Sequence, residues 1–232
     1  MKTLGLIGGM SWESTLPYYR IINESVRETL GGLHSAELIL YSVDFDRIER
    51  LQATDRWDVA GEELARIASR LEIAGALALV LCTNTMHKVA PAIESAVSIP
   101  LLHIADPTGE ELVRSGVSTV GLLGTSFTME DDFYRERLES RFGLQVVVPD
   151  AADRCDVSRV IYQELCRGEL LEDSRRRYVA VIERLAAEGA QAVILGCTEI
   201  GLLVGASDVG VPLLDTTYLH ARAAARWALA QG

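Results

Sequence analysis

Leu71-Glu72-Ile73-Ala74-Gly75-Ala76-Leu77-Ala78-Leu79-Val80-Leu81-Cys82-Thr83 returns later in the chain as Leu185-Ala186-Ala187-Glu188-Gly189-Ala190-Gln191-Ala192-Val193-Ile194-Leu195-Gly196-Cys197-Thr198. In both stretches the end of a helical segment passes through a glycine into a short apolar run, then reaches a cysteine and a threonine. The glycines lie 114 residues apart and the cysteines 115. Gly5-Leu6-Ile7-Gly8-Gly9-Met10 likewise returns as Gly121-Leu122-Leu123-Gly124-Thr125-Ser126, and Ile99-Pro100-Leu101-Leu102 as Val211-Pro212-Leu213-Leu214. Matches in one order and at nearly one spacing predict two similar halves. Each half has a glycine turn after its first strand and a cysteine where a later strand gives way to a helix.

Short apolar runs alternate with longer segments of helical period throughout, which predicts an α/β fold with parallel strands. Strands are expected at 3–7, 36–43, 76–81, 101–104, 119–123, 144–148, 192–195 and 211–214. Helices are expected at 13–30, 56–74, 85–97, 108–115, 128–142, 156–167, 173–188, 199–204 and 216–230, the first stopped by Gly31-Gly32. The division that follows is a first domain of residues 1–103 plus 216–232 and a second of 104–215. Each is expected to hold a mainly parallel sheet flanked by helices. Parallel α/β sheets bind ligands beyond the carboxyl ends of their strands. If the halves face each other across those ends, both cysteines point into one cleft.

Composition narrows the function classes. The 232 residues carry 22 Lys+Arg against 33 Asp+Glu, a formal net charge of −11. That excludes nucleic-acid binding by phosphate neutralisation and a polybasic membrane anchor. The opening Met1-Lys2-Thr3-Leu4-Gly5-Leu6-Ile7-Gly8-Gly9 has too short an apolar run for a signal peptide, and no run reaches the length of a membrane span, so a cytoplasmic protein is expected. In that reducing compartment Cys82, Cys155, Cys166 and Cys197 are not expected to form a disulfide framework. Lys2 and Lys88 are the only lysines, which leaves little for Schiff-base chemistry.

Cys82 and Cys197 each stand at a strand end ahead of a helix, where free backbone N–H groups favour a thiolate. Two thiols facing one cleft suit removal of a proton from one face of a carbon and return of a proton to the other, the geometry needed to invert an α-amino acid. Cys155 and Cys166 have no counterpart and read as small buried hydrophobes. His34, His87, His103 and His220 show no ligand-type spacing, so no metal site is expected. The glycine turn is not the GxGxxG of dinucleotide binding, and no cofactor is indicated. Ser11, Thr83, Asn84, Thr85, Thr125 and Thr198 lie beside the turns and cysteines, where they could receive a substrate carboxylate or simply cap helices. Glu199 and Asp106 could receive an ammonium group or tune a thiol, and otherwise are first-turn acids favoured by the helix dipole.

Gly8-Gly9-Met10-Ser11-Trp12-Glu13-Ser14-Thr15, Cys82-Thr83-Asn84-Thr85-Met86-His87-Lys88, Leu102-His103-Ile104-Ala105-Asp106 and Gly196-Cys197-Thr198-Glu199 together resemble the signature segments of the aspartate/glutamate racemases, and within them the branch of broad-specificity amino-acid racemases. The resemblance covers essentially the whole chain. It implies two pseudo-symmetric α/β domains with the cleft between them, a homodimer, no cofactor, and Cys82 and Cys197 as paired acid/base groups. It also implies substrate contacts from Met10 and Ser11 in the first signature, from Thr83, Asn84, Thr85, Thr125, Thr198 and Glu199, and from Arg47 as receptor of a distal carboxylate. A lysine that completes that receptor in the family is replaced here by Cys166. A hydantoin racemase, maleate isomerase or arylmalonate decarboxylase remains an alternative, as does a non-catalytic binder of small carboxylates.

Overall fold

In the computed structural model, which describes residues 1–230, the chain forms two compact α/β units. The first comprises Met1–Ile104 and resumes at Thr217; the second is Ala105–Thr216.

The first unit contains β1 (Leu4–Gly8), α1 (Trp12–Leu30), β2 (Leu38–Ser42), α2 (Phe45–Ala53), α3 (Trp57–Ile73), β3 (Ala78–Leu81), a 3-10 turn (Thr85–Val89), α4 (Ala90–Ser95) and β4 (Leu101–Leu102). Its strands pair in the order β2-β1-β3-β4, all parallel. β1 and β3 are buried along their whole lengths, which is why they read as continuous apolar runs rather than as alternating ones. Alternate side chains still divide between two cores. Leu79 and Leu81 pack with Ile48 of α2 and Leu64 and Ile67 of α3. Ala78, Val80 and Cys82 face the opposite way, onto Tyr18, Ile22 and Val26 of α1. The spacings i, i+4, i+8 along α1 and i, i+4, i+7 at Ala60, Leu64 and Ile67 of α3 put those residues on single helix faces.

The second unit contains α5 (Ala105–Arg114), β5 (Thr119–Gly124), α6 (Ser126–Glu130), α7 (Asp132–Phe142), β6 (Gln145–Val147), α8 (Ala151–Gln163), a 3-10 turn (Leu165–Arg167), α9 (Glu172–Ala187), β7 (Ala192–Gly196), α10 (Ile200–Leu203) and β8 (Leu213–Asp215). Its strand order, β6-β5-β7-β8, is again all parallel and repeats that of the first unit. Val193, Leu195 and Cys197 pack with Val157 and Val160 of α8 and Ile182 and Leu185 of α9. The final helix, α11 (Thr216–Leu229), carries the chain back, and Ala221, Ala224, Ala225 and Ala228 join the core beside α1.

All eight expected strands form, with small shifts at their ends. The helices differ more: the one expected at 85–97 is a 3-10 turn followed by α4, and the one expected at 108–115 begins at Ala105. α2 was not expected, because it buries only Ile48 and Gln52, too few positions to set a readable period. The expected helix at 128–142 is two helices, interrupted by the extended backbone of Asp131. α8 starts at Ala151 rather than residue 156, with the Asp150 carboxylate accepting the Asp153 N–H at 2.9 Å as its cap. It also stops at Gln163, since Glu164 leaves the helical conformation and its carboxylate accepts from Ser174 Oγ at 2.5 Å and from Arg159 at 3.2 Å.

The turn after β1 depends on Gly9. Its φ is +91°, and a β-carbon there would lie 2.4 Å from the Val43 carbonyl oxygen. Its N–H donates to Thr15 Oγ1 at 2.8 Å, while that hydroxyl donates to the Ser11 carbonyl at 2.9 Å. Gly9→Ala is therefore expected to destabilise the protein by at least about 1–3 kcal/mol in urea unfolding; an unchanged midpoint would contradict this account of the turn.

Candidate active site

The expected site residues gather, unit by unit, at the carboxyl ends of the two central strands. In the first unit, Met10 and Ser11 follow β1, and Thr83, Asn84 and Thr85 follow β3. All five are buried. Ser11 turns its carbonyl to the hydroxyls of Ser14 and Thr15, and Met10 packs with Ile7 and Ile48. In the second unit, Thr125 follows β5, and Cys197, Thr198 and Glu199 follow β7, all four buried. Thr125 takes the capping role open to it, its hydroxyl accepting the Thr128 N–H at 3.3 Å.

Cys197 is 8% exposed, and its thiol donates to Glu199 Oε2 at 3.1 Å. The same oxygen accepts the Thr198 hydroxyl at 2.7 Å. Glu199 is itself only 2% exposed, and its other oxygen has the Cys166 thiol at 3.9 Å. Burial pushes the Cys197 thiol well above its ordinary range; the charge of Glu199 pushes it the same way, and a hydrogen bond from the Glu199 backbone N–H opposes this in part. Cys166 is raised by burial first and by Glu199 second. Cys166, which has no counterpart in the repeat, packs against the core of the second unit as a small hydrophobe would. It lies just beyond the break in helix at Glu164, and its thiol also faces Glu199.

Cys82 lies in different surroundings from Cys197. It is fully buried in the apolar core beside α1 and α11, its thiol faces the Val80 carbonyl at 3.7 Å, and burial alone raises it. The strand registers explain the discrepancy between the 114- and 115-residue spacings. Ile7 lies opposite Leu81 in the first unit, and Leu123, its counterpart 116 residues on, lies opposite Leu195 in the second. One residue further along, Cys82 corresponds to Gly196. The next pair is Thr83 and Cys197, separated by the same 114 residues as the preceding glycines. Thr83, not Cys82, is thus the topological equivalent of Cys197.

Three of the four histidines, which show no pattern in the sequence, lie close together in the first unit. His87 Nδ1 donates to the Thr83 carbonyl at 2.8 Å and Nε2 accepts the Ile104 N–H at 3.2 Å. Because a carbonyl only accepts and an amide N–H only donates, this pair of bonds fixes His87 as the neutral Nδ1–H tautomer. The His103 ring centre lies 4.4 Å from that of His87. His220 donates from Nε2 to the Leu102 carbonyl at 2.7 Å and accepts the Tyr18 hydroxyl at Nδ1, 2.9 Å away. His87, itself buried, therefore holds the backbone of Thr83 in place.

Two charged candidates are already engaged. Asp106 receives Arg137 at 2.6 and 2.8 Å and Arg141 at 3.1 Å, so it is held within its own unit. Arg47, in the first turn of α2, is 63% exposed and pairs with Glu63 of α3 at 2.9 Å.

The Asp/Glu/Hydantoin racemase family matches residues 7–224. The chain belongs to that family. A Yersinia pestis protein of known crystal structure, classed with the Asp/Glu racemases, is 56% identical, with a TM-score of 0.92 over 99% of this chain and 100% of that one. An aspartate racemase homologue from Pyrococcus horikoshii is 37% identical, with a TM-score of 0.83 over 98% and 99% of the two chains. The broad-specificity amino-acid racemase RacX of Bacillus subtilis is 21% identical over 92% of each chain. These likenesses extend over both units and so include the segments that carry Thr83 and Cys197.

Burial gives the three raised thiols a shared effect on stability. Each remains protonated in the folded state at a pH where it ionises in the unfolded chain. Their contribution is present below about pH 8.5 and is lost as pH rises above it, by at most about 1.4 kcal/mol per thiol per pH unit. Urea unfolding between about pH 7.5 and 10 should show stability declining, and Cys82→Ala should make the decline shallower. A pH-independent midpoint would contradict the burial of these thiols.

Proposed function

We propose that the protein is a cofactor-independent amino-acid racemase in which Cys197 exchanges the α-proton on one face of the substrate. The observation that carries this reading is the buried Cys197 thiol, set against a carboxylate at the carboxyl end of β7 in a chain of the racemase family. Inversion needs a second proton-transfer group for the opposite face. The paired-cysteine expectation would use Cys82, but its burial in the apolar core argues against that. The register supports Thr83, held by His87, as the group contributed by the first unit.

A threonine hydroxyl is a far weaker acid than a thiol, so the two faces are not equivalent chemically. Cys197 takes up and returns protons readily, whereas Thr83 acts mainly in delivering a proton to the carbanion with the help of its hydrogen-bonded surroundings. Exchange of one enantiomer's α-proton should accordingly run ahead of inversion. Ser11, Asn84, Thr85, Thr125 and Thr198, with the backbone N–H groups of the two turns, are proposed to receive the substrate carboxylate. A specificity wider than aspartate and glutamate is supported by Arg47, whose pairing with Glu63 competes with any distal carboxylate. The same proposal includes action in the cytoplasm as a homodimer. Trp12, Leu16 and Tyr19, spaced i, i+4, i+7 and each more than half exposed, give α1 an apolar stripe suited to a second copy.

Chiral chromatography of a panel of L- and D-amino acids, with the protein reduced and no cofactor added, tests the assignment. Cys197→Ala should lower racemisation by about 10²–10⁴-fold, Thr83→Ala by at least about tenfold, and Cys82→Ala by no more than a few-fold. Loss of activity in Cys82→Ala with Thr83→Ala unaffected would restore the two-cysteine pairing. Full activity in Cys197→Ala would overturn the reading altogether. Turnover of hydantoins but of no amino acid would move the protein to the hydantoin branch.

A further inference from the structure

The charge acting on the Cys197 thiol is that of Glu199, which opposes its ionisation; Cys166 is itself held protonated, and the Glu199 backbone N–H favours the thiolate to a smaller extent. Tyr178 of α9 is buried on the same side, with its hydroxyl donating to the Val157 carbonyl at 2.8 Å, so it too brings no positive charge. A thiol in this setting is held as a proton donor, because its hydrogen points at a carboxylate and the surrounding charge is negative. To act as a base it must first lose that hydrogen, which requires a cation to enter its surroundings. A free α-amino acid carries such a cation beside the carbon to be inverted. Hydantoins and N-acyl amino acids do not.

Resting on the racemase reading, we propose that Glu199 receives the substrate α-ammonium group and that this exchange of partners releases Cys197 to act as a base. In the free protein, Glu199 Oε2 accepts from Cys197. An arriving ammonium is a stronger, charged donor to the same oxygen. As it takes that place, the S–H bond breaks, its electron pair stays on sulfur, and its proton leaves to water. The thiolate, now beside an ammonium rather than a lone carboxylate, removes the α-hydrogen as a proton and regains its S–H bond. The electron pair of the broken C–H bond remains on the substrate until the opposite face is protonated. Glu199 thereby links ionisation of Cys197 to arrival of the right class of substrate, and it disfavours members of the wider family's substrate range that lack a free ammonium.

Glu199→Gln tests this with two readings that a purely structural role would not separate. The first is the pH dependence of iodoacetamide alkylation at Cys197 in the ligand-free protein, followed by peptide mass spectrometry. Removing the negative charge should move the midpoint down by about one pH unit. The second is α-proton exchange in D2O, comparing free amino acids with their N-acetyl derivatives. In the unmutated protein the free forms should exchange at least about a hundredfold faster; in Glu199→Gln that preference should shrink by at least about tenfold. A more ionised thiol with poorer amino-acid exchange is the expected combination. An unshifted alkylation midpoint, or equal loss of exchange for both substrate classes, would overturn the proposal. Glu199→Asp, which keeps the charge, should retain the original midpoint, and a shift there would also count against it. If the unmutated protein exchanges no amino acid while the alkylation midpoint still moves in Glu199→Gln, the racemase reading fails and the coupling of Glu199 to Cys197 stands.

Discussion

The parallel pairing of β1 with β3, and of β5 with β7, is the constraint on which the rest of the structure depends. Each pairing brings two loops to the same sheet edge, one a glycine turn and the other the head of a helix or 3-10 turn. Because side chains alternate across a strand, a register fixed at Ile7–Leu81 and Leu123–Leu195 decides which residue leaves the sheet on which face. A displacement of one residue moves a side chain from one face of the sheet to the other. That difference separates Cys82, packed against α1, from Thr83, whose backbone is held by His87.

The two units use the same scaffold to different chemical ends. In the second, a thiol, a hydroxyl and a carboxylate are drawn together at the end of β7, and a break in the helix at Glu164 adds Cys166. In the first, the equivalent place holds a threonine whose carbonyl bonds to His87, which two other histidines approach and which its two backbone partners fix as a neutral tautomer. Buried polar groups of this kind cost stability unless satisfied, and their partners are drawn from segments that the chain brings together only after folding.

Much of this architecture was legible in the sequence because it is written in periodicity and repetition. The strands announced themselves as apolar runs, and the internal echo announced two similar halves. Cys197, Thr198 and Glu199 were legible as candidates because they follow the end of a buried strand. The likeness of Cys82 to Cys197 is one of residue type, whereas the strand registers give Thr83 the position that corresponds to Cys197. The approach of Cys166 to Glu199 depends on the conformation of Glu164 and its bonds to Ser174 and Arg159. The histidine cluster depends on residues from positions 87, 103 and 220, and the ion pairs of Asp106 on α7. None of these long-range meetings leaves a local pattern.

The central claim is that this chain moves a proton on and off the α-carbon of a free amino acid through Cys197. Proton NMR of the reduced protein in D2O with separate L- and D-amino acids, run in parallel for the Cys197→Ala variant, tests it most directly. The account predicts loss of the α-proton signal without added cofactor, faster for one enantiomer, with deuterium also appearing in the opposite enantiomer and no exchange above background in the variant. Undiminished α-proton signals for every amino acid with the thiols reduced, or equal exchange in Cys197→Ala, would contradict it.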